Sequence, residues 1–280
     1  MKKNDIFASL WEYFTPHQIT KILEKITGFS KNQLFFSQDL DITQEILEEY
    51  ITKKKQKIPF EYIIESSTFF GREFYVDNNV LIPRDDTEIL VEAVLSESKK
   101  HHSLSLIHIG SGSWCIGITL AKELSNIEKQ YAIDISPKAL KITQKNAKKY
   151  DCQNNIFCLE WSLFCLTWEQ INELWWVICI TANLPYIKKN DFDNMDENVY
   201  LHEPELALYG WEKTGFELYE ILTDQLIELK QKYPNKKILS WCEIGFDQYE
   251  YSKKFLSQKW LKFEYFQDMA KIHRCIQIEF

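Results

Sequence analysis

Hydrophobic positions along the chain follow two periods, and the change from one to the other divides it. From Lys2 to about Glu65 apolar residues recur three and four apart, in Leu10-Trp11-Phe14, Ile19-Ile22-Leu23-Ile26 and Ile46-Leu47-Tyr50-Ile51, with Thr15-Pro16 and Thr27-Gly28 as breaks. This is the spacing of amphipathic helices, so residues 1–65 are expected to form a small helical domain. The lysines at 53, 54, 55 and 57 read as a solvated helix end. Two short strands are expected at Thr68–Val76 and Val80–Ile82, on either side of the turn-forming Asp77-Asn78-Asn79, which puts a linker hairpin over residues 66–84.

Beyond Asp85, continuous apolar runs alternate with helical stretches. Strands are expected at Leu104–Ile109, Gln130–Asp134, Asn155–Leu159, Trp176–Ile180, Lys237–Cys242, Phe263–Gln267 and Cys275–Glu279. Helices are expected at Ile116–Leu124, Pro137–Tyr150, Phe216–Lys230 and Gln248–Gln258. Strands with apolar cores rather than strict alternation, separated by helices, predict an α/β fold with a doubly wound parallel sheet over residues 85–280.

Length and charge narrow the function. A chain of 280 residues suits one or two domains. Its net charge of −8 argues against a broad basic face for stable nucleic-acid binding. No apolar run approaches the roughly 20 residues that cross a bilayer, and no apolar segment follows Lys2-Lys3 as a secretory leader would require. Seven cysteines without a Cys-x-x-Cys pair fit free thiols, so a cytoplasmic protein without a membrane partner is expected. The abnormal count is glycine: about 7% is usual, yet the chain has 8 glycines and 9 tryptophans.

Two stretches could carry chemistry. In the first, strand Leu104–Ile109 runs into Gly110-Ser111-Gly112-Ser113-Trp114 and then a helix. Glycines there let the backbone turn sharply and approach a ligand, and the helix start offers free N–H groups; a plain tight turn is the other reading. Asp134 ends the next strand, at the spacing of a carboxylate that bonds ribose hydroxyls, though it would also suit a cap for the helix beginning at Pro137. In the second stretch, Asn183-Leu184-Pro185-Tyr186 follows the fourth strand. It is either a turn or a group able to grip a planar amide or exocyclic amine through a carboxamide, a main-chain carbonyl and a flat ring.

Together with Ile58-Pro59-Phe60-Glu61-Tyr62, Phe69-Phe70-Gly71, Ile82-Pro83-Arg84-Asp85-Asp86-Thr87-Glu88, Glu203-Pro204-Glu205 and Glu243-Ile244-Gly245, these stretches resemble the PrmC/HemK family of release-factor glutamine methyltransferases along nearly the whole chain. The Ile-Pro-Arg-x-x-Thr-Glu stretch is the most specific part of the likeness. The resemblance implies a Rossmann-like class I fold, a seven-stranded and mostly parallel sheet with an antiparallel last strand, preceded by a helical domain that docks the protein substrate. It implies S-adenosylmethionine as methyl donor, with no metal. Gly110, Ser111, Gly112, Ser113 and the residue at 114 would bind it, with Asp134 on the ribose, Leu163 against the adenine and Asn183 near the methyl group. The acceptor would be the glutamine of the Gly-Gly-Gln loop of a peptide-chain release factor. Asn183 and the Leu184 carbonyl would accept its two amide hydrogens, Pro185 would hold the turn, and Tyr186 would pack on the amide plane.

The chain departs from the family pattern at three places. Leu184 replaces the first proline of the usual Asn-Pro-Pro-Tyr, at an expected loss of rigidity. His108 stands where an acidic residue is usual. Trp114 occupies a small position of the Gly loop, where an indole is expected either to fill the donor pocket or to displace the loop. Trp161, Trp211 and Trp260 also stand where glycine would be natural, and Trp175 and Trp176 are grouped with them. A gene that uses UGA for glycine, translated with tryptophan in its place, accounts for both anomalies; Trp11, on an apolar helical face, reads as genuine. Two other functions follow from the same residues: N6-adenine methylation of RNA or DNA, and a binding-only pseudo-methyltransferase if Trp114 is real.

Overall fold

A computed structural model describes residues 1–194 and 197–280. The chain forms two compact units. The first contains α1 (Lys3–Leu10), α2 (Pro16–Thr27), α3 (Lys31–Phe36), α4 (Gln44–Lys55), α5 (Phe60–Ile63) and, from later in the chain, α10 (Glu197–His202). Thr15 and Ser30 start α2 and α3 with reciprocal capping boxes to Gln18 and Gln33. Ile6, Leu10, Ile19, Ile22, Leu23 and Leu47 form the core of this unit, one face of each helix contributing at three- and four-residue spacing. The lysines that end α4 lie where cations complement the helix dipole. Trp11 does not join the apolar face: it follows the last turn of α1 and is 62% exposed.

The second unit begins with β1 (Ser67–Phe69) and β2 (Arg72–Phe74), an antiparallel pair. This corrects the expected hairpin. The turn is Phe70-Gly71, both with positive φ, as a two-residue primed turn requires. Asp77 does make a turn, its carboxylate accepting from the Asn79 N–H at 2.9 Å, but among the described residues the strands of this hairpin are 67–69 and 72–74, and 80–82 is not a strand.

There follow α6 (Glu88–Ser98), β3 (Leu104–Ile109), α7 (Cys115–Glu123), β4 (Ile127–Asp134), α8 (Pro137–Lys149), β5 (Ile156–Glu160), α9 (Trp168–Asn172), β6 (Val177–Ala182), α11 (Glu205–Leu208), α12 (Glu217–Lys232), β7 (Lys237–Glu243), α13 (Tyr249–Gln258), β8 (Lys262–Gln267) and β9 (His273–Glu279). The sheet runs β5-β4-β3-β6-β7-β9-β8, parallel except for β9, which pairs antiparallel with both neighbours. Every residue of β3 and β6 is buried, which is why these strands are apolar without alternation. Their side chains divide between the two faces: Ile107, Ile109, Ile178 and Ile180 enter one core, Leu104, Leu106, Val177 and Cys179 the other. Each such side chain contributes about 1.5–3 kcal/mol through burial. Among the described residues no helix is long and apolar enough to cross a membrane.

Candidate active site

Strand order reverses between β3 and β6, where a doubly wound sheet opens a crevice at the carboxyl ends of its strands. Ile109 and Ala182 are in register there, so Gly110 and Asn183 leave the sheet side by side. Asp134 ends β4 on one flank and Glu243 ends β7 on the other. The second unit thus has a cavity of about 280 Å³ lined by Gly110 to Ser113, Asp134, Leu163 and Asn183 to Pro185. Arg84, Thr87, His108, Trp161 and Trp211, not assigned from the sequence to donor or acceptor, line it as well. Tyr186 is not among the lining residues; it packs half-buried beside Glu243.

Gly110 turns with φ 71°, and a Cβ there would lie 3.3 Å from Leu184 Cδ2. Gly210, Gly215 and Gly245 likewise approach Pro185 or Tyr186 too closely or tightly for an added Cβ to be free of contact. Half of the chain's scarce glycines therefore pack against the Asn-Leu-Pro-Tyr segment. The segment is also tied down beyond Tyr186, because Ile187 exchanges main-chain hydrogen bonds with Leu208 and Gly210 at 3.0 and 2.9 Å.

Asp134 does not cap α8. Ser136 does so, its hydroxyl accepting from the Ala139 N–H at 3.2 Å. The Asp134 carboxylate instead accepts from the Gly112 N–H at 2.8 Å and the Ser136 N–H at 2.9 Å, one on each oxygen. Burial raises its pKa against the pull of these donors. A partly desolvated carboxylate that lines the cavity and keeps acceptor capacity suits ligand hydroxyls.

Trp114 behaves differently from expectation. Its indole does not line the cavity; it is fully buried in the core beside α7, 5.6 Å from the His108 ring. A positive φ of 65° turns the side chain inward, and the bare Cα of Gly117 makes room for it, since a Cβ there would meet the ring at 2.4 Å. Among the described residues the indole N–H finds no partner. Trp211 and Trp260 also have left-handed backbone, at φ 93° and 57°, whereas Trp161, Trp175 and Trp176 do not. Backbone geometry thus favours glycine at three of the six suspected positions. His108 is a satisfied core residue, with Nδ1 3.0 and 2.8 Å from the Thr181 carbonyl and hydroxyl and burial lowering its pKa to about 4.

Within the second unit, the stretches that carried the resemblance join one another. Glu203 accepts from the Ile82 N–H at 3.2 Å and pairs with Arg84. Glu88 accepts from the Phe70 N–H at 2.6 Å. Asn183 Nδ2 donates to Thr87 Oγ1 at 3.3 Å and Glu243 Oε2 at 3.0 Å, and Tyr186 donates to Glu243 Oε1 at 3.3 Å. The Leu184 N–H, which a proline would lack, donates to the Tyr219 hydroxyl at 2.9 Å, and that hydroxyl donates to the Glu243 carbonyl. The expected loss of rigidity at Leu184 is therefore offset by a buried hydrogen bond.

This sheet order, with its one antiparallel strand and a Gly-rich turn at the switch point, defines a Rossmann-like class I methyltransferase fold. The hMettl16 catalytic domain in complex with MAT2A 3′UTR hairpin 6 shares it at a TM-score of 0.55 and 14% identity, over 75% of this chain and 76% of that one. No protein-family model matches the chain. Curated relatives do. The release factor glutamine methyltransferase of Flavobacterium psychrophilum is 35% identical over 72% of this chain and 71% of its own length. Those of Mycoplasma mycoides subsp. mycoides SC and Bacillus cereus are 31% and 32% identical, over 87% and 85% of this chain and 84% and 82% of theirs. The chain belongs to the release factor glutamine methyltransferase family, and it is a methyltransferase.

Proposed function

We propose that the protein transfers a methyl group from S-adenosylmethionine to the side-chain amide nitrogen of the glutamine in the Gly-Gly-Gln loop of peptide-chain release factors. The observation that carries this reading is the placement of the Gly loop and the Asn-Leu-Pro-Tyr segment on adjacent strand ends over one cavity. Gly110 to Ser113 would hold the donor through the main chain, Asp134 would take its ribose hydroxyls, and Leu163 would lie against its adenine. The bound donor supplies an electrophilic methyl group on sulfonium.

An amide nitrogen is a poor nucleophile because its lone pair is delocalised. Among the described residues nothing donates to Asn183 Oδ1 or to the Leu184 carbonyl, so both are open to accept the two hydrogens of the substrate amide. Accepting both orients the nitrogen and strengthens as positive charge builds on it in the transition state. Pro185 holds the turn, and Tyr186, outside the cavity lining, braces Glu243 behind Asn183. No side chain is assigned as a base. The helical unit provides the docking surface for the protein substrate in this reading.

The test is transfer of labelled methyl groups from S-adenosylmethionine to a purified full-length release factor, with mass spectrometry locating the modified residue. One methyl group on the loop glutamine is expected, and none when that glutamine is replaced. Labelling of an oligonucleotide instead of the release factor would overturn the reading in favour of an adenine acceptor.

A further inference from the structure

We infer that Glu243 is a positioning residue, which together with Thr87 locks the Asn183 carboxamide in the orientation that leaves its oxygen for the substrate. The inference rests on the proposed role of Asn183 and concerns what makes that role available.

An asparagine side chain can sit either way round, and only one orientation offers an acceptor to the cavity. Asn183 Nδ2 has two hydrogens, and two acceptors face them: Glu243 Oε2 at 3.0 Å and Thr87 Oγ1 at 3.3 Å. The Thr87 hydroxyl oxygen has lone pairs to accept from Asn183, and Thr87 helps to hold the Glu243 pKa down. Flipping the carboxamide would set its oxygen against an ionised carboxylate, acceptor against acceptor, inside a site that water does not relieve. Glu243 also reaches the second proposed acceptor, because its main-chain carbonyl takes the hydrogen of Tyr219, and Tyr219 holds the Leu184 peptide. One residue at the end of β7 thus sets both groups that would grip the substrate amide.

The lock depends on the charge of Glu243. Burial raises its pKa to about 7, while Thr87, Tyr186 and Arg274 pull it down and Asp86 pushes it up. When protonated, the carboxyl becomes a donor and tolerates a flipped Asn183. Of the other groups facing it, Tyr186, Tyr219, Cys115 and Cys275 are held above their ordinary values by burial, and Asp86 pairs with Arg274 at 2.8 Å.

The test compares the unaltered protein with Glu243→Gln, Thr87→Val and Thr87→Ser. The kcat of the unaltered protein should rise tenfold per pH unit below about 7 and then level off. Glu243→Gln should lower kcat at pH 8 by about a hundred- to a thousandfold, the range for one preorganised group, and should abolish that rise. Donor Kd and the KM for release factor should stay within about threefold. Thr87→Val should lose rate and Thr87→Ser keep it. Independently of any substrate, the side-chain amide protons of Asn183, identified by their absence in Asn183→Asp, should exchange slowly in the unaltered protein and fast in Glu243→Gln. Unchanged exchange in Glu243→Gln would overturn the inference, as would a kcat that falls only in step with donor binding. If the unaltered protein methylates no release factor, the functional reading fails, and the exchange measurement still decides the positioning role.

Discussion

Trp260 offers the most direct test of the backbone argument for glycine. It follows α13 at the position where helices end in a left-handed residue. Its N–H bonds the Ser257 carbonyl at 3.2 Å, and the Leu261 N–H bonds that of Leu256 at 3.4 Å, the paired hydrogen bonds of a Schellman motif. Glycine normally occupies that position, yet here an indole stands at φ 57° and is 94% exposed. A left-handed non-glycine residue costs about 1–2 kcal/mol. Trp260→Gly relieves this and gives up almost no burial, while the added freedom of glycine in the unfolded chain takes back roughly 0.5–1 kcal/mol. The net expectation is a gain of about 0.5–1 kcal/mol. Urea unfolding followed by circular dichroism should show a higher midpoint at unchanged slope. Trp168→Gly is the control: Trp168 is also exposed, but it lies in the first turn of α9 without positive φ, so glycine there should be destabilising by up to about 1 kcal/mol. A Trp260→Gly midpoint that is unchanged or lower would refute the reasoning.

Asp134→Ala should weaken S-adenosylmethionine binding by about 1.5–3 kcal/mol, the range for hydrogen bonds to a charged group; calorimetry showing unchanged affinity would confine Asp134 to ordering the Gly loop. Trp114→Gly should leave donor affinity within about threefold, because the indole lies outside the cavity, and a gain beyond tenfold would show that it obstructs after all. Codons read from the gene decide its origin, and UGG at 114, 211 and 260 would end the recoding account. Glu243 has a pKa raised from 4.5 to about 7 in the folded protein, so its contribution to stability is fully present below pH 4.5 and lost as pH rises through 7. At 1.36 kcal/mol per unit this amounts to about 3 kcal/mol. Glu243→Gln should therefore stabilise the protein at pH 8 and leave it nearly unchanged at pH 4; equal effects at both values in urea unfolding would contradict the assignment.

The sheet was legible because burial on both faces leaves a plain mark: β3 and β6 are mostly apolar and show no strict alternation. The hairpin was not, since it hangs on two residues, Phe70 and Gly71, and a turn with a bulky first position resembles continuous strand. Gly110, Asp134 and Asn183 could be found from local spacing, each lying where a strand meets a turn. Glu243 carried no such mark, because its partners Thr87 and Asn183 are distant in sequence and meet it only once β6 and β7 are in register. The direction of the Trp114 side chain was equally hidden: it depends on the notch left by Gly117, which no one-dimensional pattern announces.

The bridge through Tyr219 has a consequence for how this site can change. With leucine at 184 the peptide N–H must be buried, and the Tyr219 hydroxyl is the acceptor that makes this tolerable. With proline there, the N–H is gone and the hydroxyl keeps only its bond to the Glu243 carbonyl. The two positions are therefore epistatic. Tyr219→Phe should be more damaging beside Leu184 than beside proline, a difference that a double-mutant cycle would read as a coupling of about 1 kcal/mol or more. The order of substitution then matters. A lineage that had acquired leucine could not lose the tyrosine cheaply, whereas one that kept proline could, so this single buried hydroxyl makes the exchange at 184 easier to enter than to leave.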